Sequence, residues 1–474
     1  MTAGSHAADE KPLPIIVLGA GCAGLAAAWR LVERGQRVLV IEAQDTVGGL
    51  AGGVHAGGDL YEYGPHVFHT QDPDILADIK SLMGADLQPY KRTIQIKFMG
   101  GYFRFPLRLT DILGQLPIKT ILAATAAYAW RSLEGLVRRP TLENSETVLV
   151  RSYGDVLYRL FFRDYITRVW GIPPAEFSPA FARERIPRLN ILEVFEKAAA
   201  ALRRRLGRRP REGSATQGYV EKVTGDLHTT REGFHLIVER MAARLRAVGA
   251  QIRLGARVER LEREGSRITA VVVRSGDREE SLPCAGIVNT LPLDEAARAI
   301  TPGLGPEIES AAAALRFRAI VFVGLKVRRP RVLPASFMYF REHSFNRITD
   351  FSYFGFHIDP PGFTLLVAEI TCAPADRIWT DDQLARELVL GDLRREGILA
   401  PDEVEATHVF RARHAHPIYT LGYEKSRQAL LDAFTHLRNA ETAGRQGRFQ
   451  YVNTHVAIKM GQEAADRLCE KFPG

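Results

Sequence analysis

Four apolar residues in a row, Ile15 to Leu18, run directly into GAGCAG and then into an alanine-rich stretch ending near Glu33. A short unbroken apolar run suits a strand buried on both faces, and the segment from Leu25 to Glu33 suits a helix. The pattern predicts strand, tight turn, helix. QRVLVIEA then predicts a second strand, and much later the stretch beginning LHTTREGFHLIVERM reads as a helix followed by the alternating strand of ARVERLERE. AGIVNTLPL closes as another apolar strand with a Pro-containing turn, returning the chain to the N-terminal unit. From Phe317 to about Thr371, Val, Phe, Tyr and Ile separated by turn residues predict an antiparallel sheet. The apolar run ILAATAAYAW, within residues 113–150, is too short and interrupted to span a bilayer and is expected as a core helix. AAAALRRRLGRRPREG reads as a solvated helix face running into a loop, although such a cluster could also attract anionic lipid. No repeat of fixed period is visible.

Composition adds bounds. A chain of 474 residues with 46% hydrophobic and 25% charged residues is an ordinary globular protein of two or three domains, not a disordered or fibrous one. Its 63 Lys and Arg against 55 Asp and Glu give +8, which favours anionic partners without choosing among them. Four dispersed cysteines without a CxxC suit a reduced, cytoplasmic protein better than a disulfide scaffold or a zinc site. The leader MTAGSHAADEKPLP lacks an apolar core and reads as a short flexible segment.

The glycines carry the first chemistry. Gly19 permits the sharp turn, Gly21 lets the backbone approach a pyrophosphate, and Gly24 lets helix and strand pack closely. The phosphate then sits on the helix N-terminus, where free N–H groups and the dipole favour negative charge. Glu42, at the end of the second strand, is placed to accept hydrogen bonds from a ribose diol, which disfavours NADP. Gly48 and Gly49 follow in EAQDTVGGLAGG and resemble the second glycine pair of FAD proteins in the amine oxidase and glutathione reductase superfamily. No second GxGxxG lies downstream, so a separate NAD(P)H domain is not expected.

The chain also resembles the flavin-dependent UDP-galactopyranose mutases and their relatives in the amine oxidase and protoporphyrinogen oxidase superfamily. The resemblance rests on YGPHVFHT, on DYITRVWGIPPAEF with RERIPRLNI, on FNRITDFSYF, and on GRQGRFQYVNTHVAIKMG. It implies an α/β fold: a Rossmann-type FAD-binding domain (12–90, 219–315, 425–474), an antiparallel β-sheet substrate domain (91–110, 316–424) and a helical domain (111–218). It also implies that Val258 passes the adenine and that Gly444, Arg445 and Asn453 close over the flavin. As a catalytic base either histidine could titrate near neutrality; by the resemblance His66 would lie beside the flavin ring with a catalytic role, altering the electron density at N5 or N1, and His69 would make a structural hydrogen bond. No metal is expected, because these two histidines lack a carboxylate or cysteine at usable spacing.

The activity implied is a redox-neutral exchange of pyranose and furanose ring forms, with N5 of reduced flavin as nucleophile toward a nucleotide sugar. Arginines would then hold the leaving diphosphate, Arg347 first and Arg188 or Arg185 second. Trp170 would stack on base or sugar, or else cap a helix end. Tyr419, Tyr423 and Tyr451 would offer hydroxyls or serve as core aromatics. Arg347 could instead hold the sheet by pairing with Asp350 or Glu342. In two places the chain departs from the mutases. Arg188 follows RIP directly, with Leu189 where their loop arginine stands, and His416 replaces a diphosphate-binding tyrosine. The alternative is a net FAD-dependent oxidoreductase, oxidase, dehydrogenase or desaturase. The partner expected is a small molecule; nucleic acid and a transmembrane segment are not, and peripheral membrane contact is the lesser expectation.

Overall fold

The computed structural model describes residues 12–104, 117–137, 142–186, 226–356 and 358–471. Arg188 and the basic stretch around residues 198–213 lie outside them. A five-stranded parallel sheet has the order Ala440–Thr442, Gly286–Asn289, Ile15–Leu18, Val38–Ile41, Gln251–Arg253. Its middle strand is buried on both faces, which is why Ile15 to Leu18 show no alternation. The helix Cys22–Glu33 covers one face, and the C-terminal helix Thr454–Glu470 packs against that helix. Contact there is close enough that a Cβ on Gly461 would lie 2.1 Å from the carbonyl oxygen of Ala23. Gly461→Ala should therefore push the two helices apart and cost about 1–3 kcal/mol, visible as a lower unfolding midpoint.

The second large sheet has seven strands in the order Val404–Ile418, Arg316–Val327, Thr364–Cys372, Arg347–Asp350, Phe337–Phe340, Ile94–Phe98, Gly101–Arg104. Its neighbours are antiparallel, as expected, except for one parallel pair between Phe337–Phe340 and Ile94–Phe98. Both faces are covered. Ile320 and Phe322 join an aromatic cluster with Tyr61 and Phe410, while Val321, Val323 and Leu325 pack with Val389 and Leu393 of the helix Asp382–Arg395. A smaller four-stranded sheet contains Arg257–Glu264, the strand that carries Val258. All four cysteines are free thiols.

The helical segment departs from expectation in one respect. The run ILAATAAYAW lies in the helix Ile118–Val137, but among its described side chains only Ala124 is buried, so it is not a core helix. Its neighbour Ser145–Leu157 leads through a π-helical turn, Tyr158–Arg163, into Asp164–Trp170, which ends at Gly171 in the left-handed region (φ +77°). A glycine in that conformation stops the helix without strain and fixes Trp170 at its end. No helix among the described residues is long and apolar enough to cross a membrane.

Candidate functional site

The glycine turn leaves the middle strand of the parallel sheet as a cradle. Gly19 has φ +99°, and a Cβ on Gly24 would fall 1.9 Å from the Gly19 carbonyl oxygen, so both positions require glycine. Gly21 differs. The nearest heavy atom to a Cβ there is the Gly48 carbonyl oxygen at 3.8 Å, so its bare backbone faces space instead of a neighbour. Gly21 and Gly48 form a β-bridge, and a Cβ on Gly49 would lie 3.5 Å from the Gly21 Cα, which brings the two glycine pairs together. The Glu42 carboxylate accepts from the N–H of Ala20 at 2.8 Å and of Gln44 at 2.9 Å. It spans the turn while keeping lone pairs for a diol. The Glu42 carbonyl accepts from the N–H of Ala256, which brings the strand bearing Val258 alongside.

From this cradle the chain runs to Gly64 and His66. Nδ1 of His66 is buried and finds no partner among the described residues, which marks a polar atom awaiting a ligand. Burial, then Arg347 and Arg445, pull its pKa down to about 3, so the imidazole is neutral and does not titrate near neutrality as expected of a base. A Cβ on Gly64 would lie 2.8 Å from Oε1 of Glu369 and 3.0 Å from Nη2 of Arg347. Arg347 makes a two-pronged pair with Glu369, Nε to Oε1 at 2.6 Å and Nη2 to Oε2 at 2.8 Å. The pairing expected with Asp350 or Glu342 does not form. Asp350 instead accepts from the N–H groups of Val332, Leu333 and Ser352, and Glu342 is exposed. Burial works against the Arg347 cation, but Glu369 outweighs it and raises its pKa.

Glu369 was not legible as a site residue, although one signal was present. It is the one charged residue in TLLVAEITC, a strand otherwise suited to complete burial, and a buried charge requires a partner.

A second cluster assembles from four distant segments. Arg185 and Arg445 place their guanidinium carbons 3.1 and 3.7 Å from the ring centroid of Tyr451. Trp170 is buried, with Phe181 and His416 rings at 5.0 and 5.5 Å, and Arg185 reaches over it at 5.6 Å. Arg445 donates through Nη2 to the Ala415 carbonyl at 2.8 Å and to Nδ1 of His416. Arginine cannot accept a hydrogen bond, so Nδ1 of His416 is the unprotonated nitrogen and Nε2 carries the proton. Burial and the Arg445, Arg185 and Arg347 charges keep this imidazole neutral too.

The remaining expected residues divide. Tyr419 and Tyr423 stack at 4.4 Å inside the core, and the Tyr419 hydroxyl accepts from the Tyr451 N–H at 2.8 Å, so the former positions the latter. His69 meets the amide of Asn453 at 3.4 Å and the ring of His455 at 4.7 Å, a structural setting. Gly444, at φ +83°, packs its Cα against Ala23 beside the glycine turn. Among the described residues no group of three His, Cys, Asp or Glu could hold a metal ion.

Three half-buried, desolvated histidines make folding pH-dependent. Burial depresses His414 and His455 to about 4, as well as His66 to about 3. An unfolded histidine takes up its proton near pH ~6.5, so below that point the unfolded chain binds more protons than the folded one. Stability is therefore present above pH ~6.5 and is lost as pH falls toward about 4. Unfolding midpoints across that range should decline steadily; a flat profile would mean these rings are not buried neutral.

These residues suit a flavin dinucleotide: bare glycine backbone for a pyrophosphate, Glu42 for a ribose, and an orphaned His66 nitrogen beside the Arg347–Glu369 pair. Residues 22–469 match the family described as flavin containing amine oxidoreductase. A phytoene dehydrogenase of Streptomyces griseus is 28% identical over 302 residues, covering 58% of this chain and 54% of that protein. A probable UDP-galactopyranose mutase of Klebsiella pneumoniae is 29% identical over 187 residues, 36% of this chain and 44% of that one. The chain thus spans about half the length of the curated relatives it matches. A solved structure of reduced UDP-galactopyranose mutase superposes with a TM-score of 0.78, covering 97% of this chain and 94% of that one at 20% identity, a likeness of fold.

Proposed function

The chain belongs to the flavin containing amine oxidoreductase family, a flavin-dependent class with FAD as cofactor, and on that premise we propose that it acts on a nucleotide sugar as a redox-neutral pyranose/furanose mutase. Reduced flavin supplies the electron-rich N5 that such chemistry needs. The observation carrying the proposal is charge: Arg185 and Arg445 flank the ring of Tyr451 with no carboxylate in hydrogen-bond contact among the described residues, whereas Arg347 is paired with Glu369. Two guanidiniums on either side of an aromatic ring, neither bonded to a carboxylate, suit a diphosphate leaving group, whose negative charge grows as the glycosidic bond breaks. They do not suit an uncharged polyene.

In this reading Gly19, Gly21, Gly24, Gly48 and Gly49 receive the FAD pyrophosphate and Glu42 its ribose. Trp170 offers a face to base or sugar, and the Tyr451 ring sets the spacing of the two guanidiniums. His416, fixed as an Nε2–H tautomer, donates to an oxygen of the substrate. Neutral His66 holds a hydrogen bond beside the flavin without adding charge, and Arg347, held flat by Glu369 through Nε and Nη2, keeps Nη1 as a fixed hydrogen-bond donor there. The test is anaerobic incubation of dithionite-reduced protein with UDP-, GDP- and dTDP-sugars, followed by chromatography of ring isomers. Isomerisation without consumption of reductant is expected. Product formed only in proportion to an added electron acceptor would move the assignment to a net oxidoreductase, the chemistry in the name of the phytoene dehydrogenase relative.

A further inference from the structure

The helix Ile118–Val137 leaves much of its apolar surface uncovered. Ile118, Leu122, Trp130 and Leu133 are 67%, 64%, 68% and 64% exposed. At about 100° per residue these four fall with Ala126 and Ala129 on one arc about 120° wide. Contiguous apolar surface of this kind marks an interaction site more often than chance exposure. The opposite side of the helix is anchored: Arg131 donates to both oxygens of Asp155 at 2.6 and 2.8 Å, and a Cβ on Gly154 would lie 2.9 Å from the Tyr128 nitrogen. The arc is therefore held outward.

The arc itself carries charge of one sign. Lys119 lies exposed within the same arc, which contains no acidic residue. At the N-terminal end of the helix, toward its anchored side, an open groove of about 300 Å³ is lined by Thr120, Val156, Arg159 and Leu160. Neighbouring carboxylates are already engaged, Glu134 and Asp155 by Arg131 and Asp164 by Arg163, whereas Lys119 and Arg159 make no ion pair among the described residues.

We propose that this face docks on the surface of an anionic lipid bilayer, with the apolar arc among the upper acyl chains and Lys119 and Arg159 on lipid phosphates. A second copy of the chain fits less well, because an isologous contact would bury Lys119 in an apolar interface with no acid to meet it. At a bilayer the lysine stem lies along the apolar surface while its ammonium reaches a phosphate, and tryptophan is a residue type that settles at that depth. The docking is on the membrane, not through it.

The experiment uses the full flavin-loaded chain and sedimentation with vesicles of phosphatidylglycerol mixed with phosphatidylcholine, against phosphatidylcholine alone. Binding to the anionic vesicles is expected, weakened by salt. L122E/W130E should reduce partitioning by at least about tenfold, since two apolar anchors are lost. K119E/R159E, which leaves the apolar side chains in place, should abolish the preference for anionic lipid. Unchanged flavin absorbance and unfolding midpoint establish that each variant is folded. The proposal is overturned if the parent ignores anionic vesicles at low salt, or if the charge-reversed variant binds them equally. It is also overturned if light scattering finds a dimer that W130E dissolves, which would assign the face to a second copy.

Discussion

Arg347→Ala should lose both stability and turnover, and the two losses should separate in a second variant. Truncation leaves Glu369, 4% exposed, as a buried carboxylate without its partner. Removing one member of a buried pair costs roughly 3–5 kcal/mol, and the part-exposed Arg347 places this case near the lower figure. Turnover should fall by a further amount equivalent to about 2–4 kcal/mol, the scale for deleting one preorganised charge-stabilising donor. Adding Glu369→Gln removes the stranded charge, so R347A/E369Q should recover much of the unfolding midpoint while remaining inactive. Arg347→Lys should rescue little, because an ammonium cannot reproduce two parallel hydrogen bonds to one carboxylate. The measurements are the unfolding midpoint, flavin absorbance and isomerisation rate of each protein. Normal turnover in a folded, flavin-replete R347A/E369Q would remove Arg347 from the mechanism and leave it a strut of the sheet.

Gly21→Val should yield a folded protein without its yellow colour. The Gly21 backbone is extended, with φ −75° and ψ 179°, a conformation open to any L-residue. The nearest protein atom to an added Cβ is 3.8 Å away. The apoprotein can thus accommodate a side chain at this position, and what it cannot accommodate is a pyrophosphate approaching the same space. Flavin content should collapse while the apoprotein unfolds near its normal temperature. Gly24→Ala gives the contrast, because its Cβ would collide with the Gly19 carbonyl at 1.9 Å and should damage folding itself. Full flavin occupancy in G21V would mean that the cofactor lies elsewhere. The flavin should also be released by acid precipitation, since no flavinylation motif is recognisable in the chain.

Local patterns carry the part of the fold that residues in a row can specify. The strand, glycine turn, helix and acid between Ile15 and Glu42 are legible because apolar runs and backbone freedom are properties of neighbouring residues. The strands of the large sheet are legible for the same reason, as runs of Val, Phe, Tyr and Ile between turn residues. Only the tertiary structure decided the rest. Arg347 and Glu369 stand directly opposite on adjacent antiparallel strands, and register is a relation between strands that neither strand's own pattern contains. Thus a local reading offers only the carboxylates near Arg347 in sequence, Asp350 and Glu342, whereas its partner Glu369 stands across the sheet. Trp170, Arg185, His416, Arg445 and Tyr451 converge from four separated segments, so their combined charge exists only after folding. The helix Ile118–Val137 illustrates the same limit from the other side. Its apolar composition announces a face to be covered, but cover is supplied by neighbours, and in the fold those neighbours reach only one side.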